Sequence, residues 1–178
     1  MTKTRCSWAG PEEIYIRYHD EEWGIPTHDD KELFEMLVLE SFQAGLSWIT
    51  ILKKRDNFKE AFDDFDIEKV ASYDENKIED LRSNKGIIRH KGKIASAVNN
   101  AKIFIEIQKE FGSFDSYIWS FTDGEIIKGE YLTESDLSKS ISNDLKKRGM
   151  KFVGPTIIYS YLESIGIIDN HQENCFRY

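Results

Sequence analysis

Four residues of the types that bind metal ions lie in two groups near opposite ends of the chain. Cys6 and His19 are separated by twelve residues, and His171 and Cys175 by three. The H-x3-C spacing is typical of structural zinc sites, in which one turn of chain presents two ligands to a tetrahedral ion. Because domain termini often lie close together, the two halves would complete one site. Two unrelated thiols and two ordinary histidines are the alternative that the spacing leaves open.

Such a site would use four protein ligands and leave no open position for water, so its role would be structural. Closing it would cross-link about 150 residues, the kind of long loop for which a metal clip most restricts the unfolded chain. A disulfide between Cys6 and Cys175 is not expected in a reducing cytoplasm. Catalytic residues must therefore be sought elsewhere in the sequence.

One acidic residue follows the apolar stripe of a predicted helix. Leu33, Met36 and Leu37 recur at helical spacing, and Glu40 falls on the same face. A carboxylate that faces the core is costly unless something pairs with it. An aromatic pocket around this carboxylate would suit a flat cationic ligand; a helix boundary at which Glu40 turns to solvent is the alternative. The aromatic residues nearest in sequence are Trp8, Tyr15, Tyr18, Trp23 and Trp48.

Two segments, 85–93 and 146–155, each carry four cations and no acidic residue. Both contain glycines at predicted turns or helix starts, where backbone N–H groups can approach an anion. They are the candidates for phosphate contact, and solvated lysines in loops are the alternative. Around the second segment, a helix ending in LKKRG, the short MKFVG hairpin and a helix starting at Pro155 are similar to a helix-hairpin-helix motif over about 137–165. That motif binds DNA phosphates through hairpin amides.

Helical periodicity dominates the chain and predicts an all-α fold of about eight short helices. The expected helices cover 29–43, one continuous run over 46–65, 93–111 ending before Gly112, a helix capped by Thr133, and one that begins at Pro155. The only plausible strands are short, such as Glu125–Ile127. These elements would place the two metal-binding segments, 6–19 and 171–175, at the ends of one compact domain.

Composition predicts one soluble domain over residues 1–178, with 40% hydrophobic and 31% charged residues. The chain has no signal-peptide pattern and no apolar run long enough for a membrane span, so we expect a cytoplasmic monomer without membrane contact. A net charge of −8 argues against a protein that coats DNA indiscriminately. The same net charge is compatible with an enzyme that contacts DNA over a small area.

Taken together, the motifs resemble the family of bacterial 3-methyladenine-DNA glycosylases of type I. The matching stretches are RCSW at 5–8, YIRYHDEEWGIP at 15–26, LFEMLVLE with QAGLSWITILKKR at 33–55, GIIRHKGKI at 86–94, WSF at 119–121, LKKRGMKFVGPTIIYSY at 145–161 and the terminal H-x3-C. They cover nearly the whole chain. The resemblance implies a helix-hairpin-helix fold and one structural zinc ion per chain, held by Cys6, His19, His171 and Cys175.

The resemblance also implies the roles of individual residues. Glu40 matches the pocket carboxylate and is the catalytic candidate. The base-binding candidates are Trp8, Tyr15, Tyr18, Trp23, Glu40 and Trp48. The wedge that enters the duplex matches Gly45 and Leu46, and the DNA-gripping hairpin matches Gly149, Lys151, Val153 and Gly154. Ser41 and Phe42 stand where many members have smaller or more polar residues.

The implied activity is hydrolysis of N3-methyladenine from double-stranded DNA carrying alkylated bases, with free 3-methyladenine as product. Methylation at N3 makes the base cationic, so it leaves as a neutral group without protonation. The aspartate of the wider superfamily falls at Asp169, beside a predicted metal ligand, and is not assigned a role. No lysine matches a Schiff-base nucleophile, so strand cleavage is not expected. Two alternatives remain: excision of N7-alkylated or oxidised purines, and a nucleic-acid-binding module without chemistry.

Overall fold

The computed structural model describes residues 3–178, so Met1 and Thr2 of the predicted domain lie outside the described residues. That range forms ten α-helices, a short 3-10 helix at Asp63–Phe65 and two strands. The helices are α1 (Glu13–Glu21), α2 (Asp30–Gln43), α3 (Trp48–Lys53), α4 (Arg55–Ala61), α5 (Ile67–Ala71), α6 (Glu75–Ser83), α7 (Lys91–Phe111), α8 (Phe114–Ser120), α9 (Asp136–Lys147) and α10 (Pro155–Ser164). Among residues 3–178, no helix combines the length and apolarity that crossing a bilayer requires.

Helix α2 is the central element, and every residue from Leu33 to Phe42 is buried. A helix buried all round must be enclosed by its neighbours, and α2 packs against α3, α7, α8 and α10. Asp29 caps its first turn by accepting a hydrogen bond from the Glu32 amide. The next residue, Asp30, accepts hydrogen bonds from the amides of Phe114 and Asp115. These bonds fix the start of α8 against the start of α2.

The fold is mostly helical, as predicted, but it also contains one small parallel sheet. Strand β1 (Ile127–Lys128) pairs with β2 (Ile168–Asp169). Its first strand overlaps the predicted strand, whereas β2 was not expected because two residues show no periodicity. The amide of Gly129 donates to the Asp169 carbonyl at 2.8 Å. The sheet thereby anchors the segment that leads into His171.

The continuous helix expected over 46–65 is wrong, because the chain is broken there into α3, α4 and the 3-10 helix. The backbone of Asp63, Asp64 and Phe65 has φ between 51 and 54°, which an α-helix cannot continue. The phenyl ring of Phe65 is fully buried. Its ring stacks 6.0 Å from that of Phe62, so aromatic packing holds the turn in this conformation.

Helix α9 begins later than expected, and its cap is Ser135 instead of Thr133. Ser135 Oγ accepts from the Ser138 amide at 3.1 Å, while Ser138 Oγ accepts from the Ser135 amide at 2.8 Å. This reciprocal capping box satisfies two donors, which a lone threonine two residues earlier would not do. Helix α7 ends before Gly112, at φ 87°, as predicted.

Helices α9 and α10 pack against each other and are joined by residues 148–154, where Gly149 has φ 102°. The side chain of Asn100 on α7 holds this connection through two hydrogen bonds. Its Oδ1 accepts from the Lys151 amide at 2.9 Å, and its Nδ2 donates to the Lys151 carbonyl at 2.8 Å. Ser142 Oγ donates to the Val153 carbonyl. The connection therefore has a defined shape, and Pro155 starts α10.

Candidate active site and metal-binding cluster

A cavity of about 220 Å³ brings all six predicted base-binding residues together. Three further residues, which the sequence did not indicate, complete its lining. The nine are Trp8, Tyr15, Tyr18, Trp23, Glu40, Gln43, Trp48, Ser160 and Glu163. Six of the nine come in pairs spaced i, i+3, one pair from each of the helices α1, α2 and α10. Residues at this spacing lie on the same face of a helix.

Aromatic rings form the walls of this cavity. The ring of Trp8 meets Tyr15 and Trp23 edge to face, with centroid distances of 5.3 and 4.9 Å. The ring of Tyr18 lies 5.4 Å from that of Trp48. Contacts of this kind favour fixed ring orientations, so the walls present a preformed surface to a planar ligand.

Glu40 faces the interior of the protein, which excludes the alternative of a side chain turned to solvent. Its side chain is buried, and Oε2 has no hydrogen-bond partner among the described residues. Burial, with a smaller contribution from Glu163, raises the pKa of Glu40 well above its usual value. The indole Nε1 of Trp48 is likewise buried without a partner. A buried acceptor and a buried donor left open in one cavity are suited to a polar ligand.

Glu163 is the most informative residue that sequence reasoning missed. Burial raises its pKa to about 7, although Asn170 Nδ2 donates to Glu163 Oε2 at 2.9 Å and opposes the shift. The one available signal was its i, i+3 spacing from Ser160, which parallels that of Gln43 from Glu40. Such spacing is common on helices and identifies no site by itself.

The two ends of the chain meet, and the ligand atoms of Cys6, His19 and Cys175 lie within 4.8 Å of one another. All three side chains are buried. The Sγ of Cys175 is 3.4 Å from Nε2 of His19. Backbone amides of Gln172 and Arg177 point to the two sulfurs at 3.4 Å. Amide–sulfur contacts of this kind stabilise thiolates, the form in which cysteine binds metal.

His171, the fourth predicted ligand, lies beside this cluster without meeting the same distance limit. Its ring centroid is 5.5 Å from that of His19. Asp169 Oδ1 holds Nδ1 of His171 at 2.7 Å, and Nε2 is buried with no partner among residues 3–178. Asp20 holds Nδ1 of His19 in the same way at 2.9 Å. With both Nδ1 atoms held by carboxylates, Nε2 is the ring nitrogen that each histidine can offer to an ion, although the Cys6 amide lies 3.4 Å from Nε2 of His19. The residues therefore fit a metal.

The predicted DNA-contacting residues lie in two turns. Leu46 is exposed beside Gly45 in the turn between α2 and α3, and a second cavity of about 190 Å³ joins this turn to Glu40 and Thr156. The other turn carries Gly149, Lys151, Val153 and Gly154. Lys151 is exposed, whereas the Val153 side chain is buried and leaves only its backbone for contact.

The two basic segments lie next to each other, since the rings of His90 and Phe152 are 6.0 Å apart. Not all their cations are available: Lys93 is buried, and Arg148 pairs with Glu110 and Asp144. The prediction of phosphate contact is therefore wrong for Lys93, because its side chain is buried. Within the two segments, the exposed cations without an ion pair to any described residue are Lys85, Arg89, Lys146, Lys147 and Lys151.

Comparison with known proteins connects this geometry to a family. The model of the methyladenine glycosylase family matches residues 8–178. DNA-3-methyladenine glycosylase 1 of Escherichia coli is 43% identical over 98% of this chain and 96% of its own length. The crystal structure of a 3-methyladenine DNA glycosylase I superposes with a TM-score of 0.94 at 42% identity, covering 97% of this chain and 98% of that one.

A further solved structure holds a ligand. It is a variant of 3-methyladenine DNA glycosylase I in complex with 3-methyladenine, with a TM-score of 0.93 at 38% identity, covering 97% of this chain and 96% of that one. Family model, sequence identity and fold agree over almost the full length. The chain therefore belongs to the methyladenine glycosylase family.

Proposed function

We propose that this chain is a monofunctional DNA glycosylase that hydrolyses N3-methyladenine from alkylated double-stranded DNA in base excision repair. It leaves an abasic site and releases free 3-methyladenine. The observation that carries the proposal is Glu40, whose buried Oε2 has no protein partner and lines a cavity with aromatic walls. A planar cation is the ligand that this arrangement suits, and the ligand-bound relative supports the choice of base.

The chemistry requires little of the protein beyond binding. The N3-methylated adenine already carries a positive charge in DNA, so cleavage of its N-glycosyl bond to C1′ releases a neutral base. Water then adds to the sugar carbon and loses a proton. The cavity holds the flipped nucleotide while Glu40 and the rings stabilise its cationic edge. Because burial favours the protonated form of Glu40 and raises its pKa, arrival of a cation favours loss of that proton.

Access to the base requires the duplex to be opened, and the position of the turn beside the cavity supports assigning this step to it. We assign Leu46 as the wedge, with Gly45 giving the turn its φ of 77°. Residues 149–154 grip the phosphates through backbone amides, assisted by the exposed cations of the two basic segments. Few phosphate contacts are needed, which is compatible with a net charge of −8.

We assign a structural zinc ion to Cys6, His19, His171 and Cys175. Burial raises the pKa of the Cys6 thiol to about 11, so a nearby cation is needed to hold it as a thiolate. A bound ion would supply no step of the reaction; it would fasten the segment that carries Trp8 to the last residues of the chain. Trp8 then stays in place as a wall of the cavity.

Release of free bases from N-methylated duplex DNA, resolved by chromatography, tests the proposal. We expect the wild type to release 3-methyladenine, and Glu40→Gln to lose at least about a hundredfold in rate while remaining folded. Glu60→Gln is the matched control, since it removes an exposed carboxylate from α4. Release of N7-alkylated or oxidised purines would overturn the assigned lesion. DNA binding without release of any base would favour the alternative of a nucleic-acid-binding module without chemistry.

A further inference from the structure

Glu163 is a second acidic side chain in the base cavity, and the proposed function does not yet use it. Its backbone carbonyl accepts from the Gly24 amide, which fixes this turn of α10 against the chain after α1. Its Oε2 accepts from Asn170 Nδ2 at 2.9 Å. Oε1 receives no hydrogen bond from residues 3–178, and the side chain lines the cavity. One carboxylate oxygen is therefore left for the cavity.

The residues that line this cavity together with Glu163 include one further acid and two phenols but no base. Helix α2 contributes Glu40, α1 contributes Tyr15 and Tyr18, and Asn170 approaches from the end of β2. The field of Glu163 reaches both Glu40 and Tyr18, since it raises the pKa of each. None of the nine lining residues is a lysine, arginine or histidine. When they are ionised, two carboxylates without a neutralising cation give the cavity a negative potential.

The guanidinium whose charge acts on Tyr18 does not relieve this potential. Arg55 lines a neighbouring cavity together with Tyr18 and forms ion pairs with Glu22 and Glu35 at 2.7 Å. Its charge is thus matched by two carboxylates outside the cavity. A positively charged ligand in the cavity would be the partner that the two acids lack.

We propose that Glu163 is a specificity-determining residue, whose carboxylate makes the cavity favour positively charged bases over neutral bases of the same shape. This inference rests on the proposed function, because it names how that site selects its substrate. The bond from Asn170 does not require a charge, since a glutamine oxygen at this position would accept it equally. The charge of Glu163 therefore calls for a role beyond holding the fold.

Protonation is compatible with this role. Burial raises the pKa of Glu163 to about 7, so near neutral pH a cation in the cavity would shift the residue to its ionised form. In a site that excludes water, one unit charge a few ångströms away has a large effect on a bound ion and a small one on a neutral ring. Selection by charge would then follow without direct contact.

The test compares two ligands of the same shape. One is 3,9-dimethyladeninium, a permanent cation. The other is its 3-deaza analogue, in which carbon replaces N3; both are measured at pH 9, where the basic N1 of this aminopyridine ring is unprotonated and the analogue is neutral. Binding is followed through the fluorescence of the tryptophans that line the cavity. We expect Glu163→Gln to weaken cation binding about tenfold and to change neutral-ligand binding by less than about twofold. Glu60→Gln, which removes the same charge from the surface, should change neither.

Equal effects of Glu163→Gln on both ligands, or no effect on either, would overturn the inference. If that variant fails to fold, Glu40→Gln still decides: its affinity for the permanent cation should rise with pH through about 7, because Glu163 is then the carboxylate left in the cavity. A flat profile in Glu40→Gln would overturn it, whatever the wild type shows. Failure of the proposed function is separate, because it appears as absence of 3-methyladenine release from DNA by the wild type, whatever the two ligands show.

Discussion

The ammonium group of Lys93 lies 2.6 Å from the carbonyl oxygen of Ala44, and it also donates to the Phe42 carbonyl at 2.8 Å. These carbonyls belong to the end of α2, where a helix has acceptors without intrahelical partners. Lys93 is buried, and the adjoining turn carries Gly45 and Leu46. A lysine from the first turn of α7 thus fixes the turn that we assign as the wedge.

Lys93→Met should loosen this turn while preserving most of the apolar length of the side chain. Hydrogen bonds from a charged donor contribute roughly 1.5–3 kcal/mol each, so we expect the free energy of unfolding to fall by about 2–3 kcal/mol. Excision from duplex DNA should fall at least about tenfold, whereas binding of free 3-methyladenine should change little. Lys102→Met, at an exposed position of the same helix, is the control. Equal losses of excision and base binding would contradict a role in positioning the turn.

Glu163→Gln should make protein stability less dependent on pH. Between the usual glutamate pKa of 4.5 and the raised value of about 7, the unfolded chain releases a proton that the folded chain retains. Ionisation of Glu163 therefore lowers the stability of the wild type as pH rises through this window. Above pH 7 the variant should be more stable by at most about 3 kcal/mol, and the difference should vanish near pH 4. Urea denaturation at pH 4 and pH 8 measures it; an unchanged difference would contradict the burial of this carboxylate.

Sequence reasoning located Glu40 and missed Glu163, and the reason lies in helix geometry. Glu40 interrupts an apolar stripe on α2, so its burial follows from periodicity. Glu163 stands beside the apolar stripe of α10, and whether that flank meets α1 or solvent depends on how the helices cross. The acceptors of Lys93 are backbone carbonyls, which leave no trace in residue types. Pairing of the termini was predictable because cysteine and histidine carry their chemistry in their identity.

Removal of metal should destabilise the whole chain. We expect one zinc ion per folded chain, measured by elemental analysis, and a melting temperature that falls by at least about 10 °C after chelation. Cys175→Ser should bind less than one ion per chain, because the thiolate contributes both charge and a soft donor. His28→Gln, at an exposed histidine outside the cluster, should bind metal normally. Protein that melts unchanged without metal would exclude the structural role.

Gly24 connects the metal-binding cluster to the cavity, and its replacement tests whether His171 must keep its position. A Cβ at Gly24 would lie 2.6 Å from Cε1 of the His171 ring, and the backbone there has φ +76°. Gly24→Ala should therefore displace the imidazole, weaken zinc binding about tenfold or more, and cost more stability than backbone strain alone. Gly124→Ala separates the two effects, because Gly124 has φ +80° and no atom within 4 Å of its Cβ position. The Gly124→Ala variant should lose about 1–2 kcal/mol of unfolding free energy, because alanine disfavours the left-handed backbone conformation. It should bind zinc normally. Equal zinc affinity in the two variants would show that the metal does not depend on the position of His171.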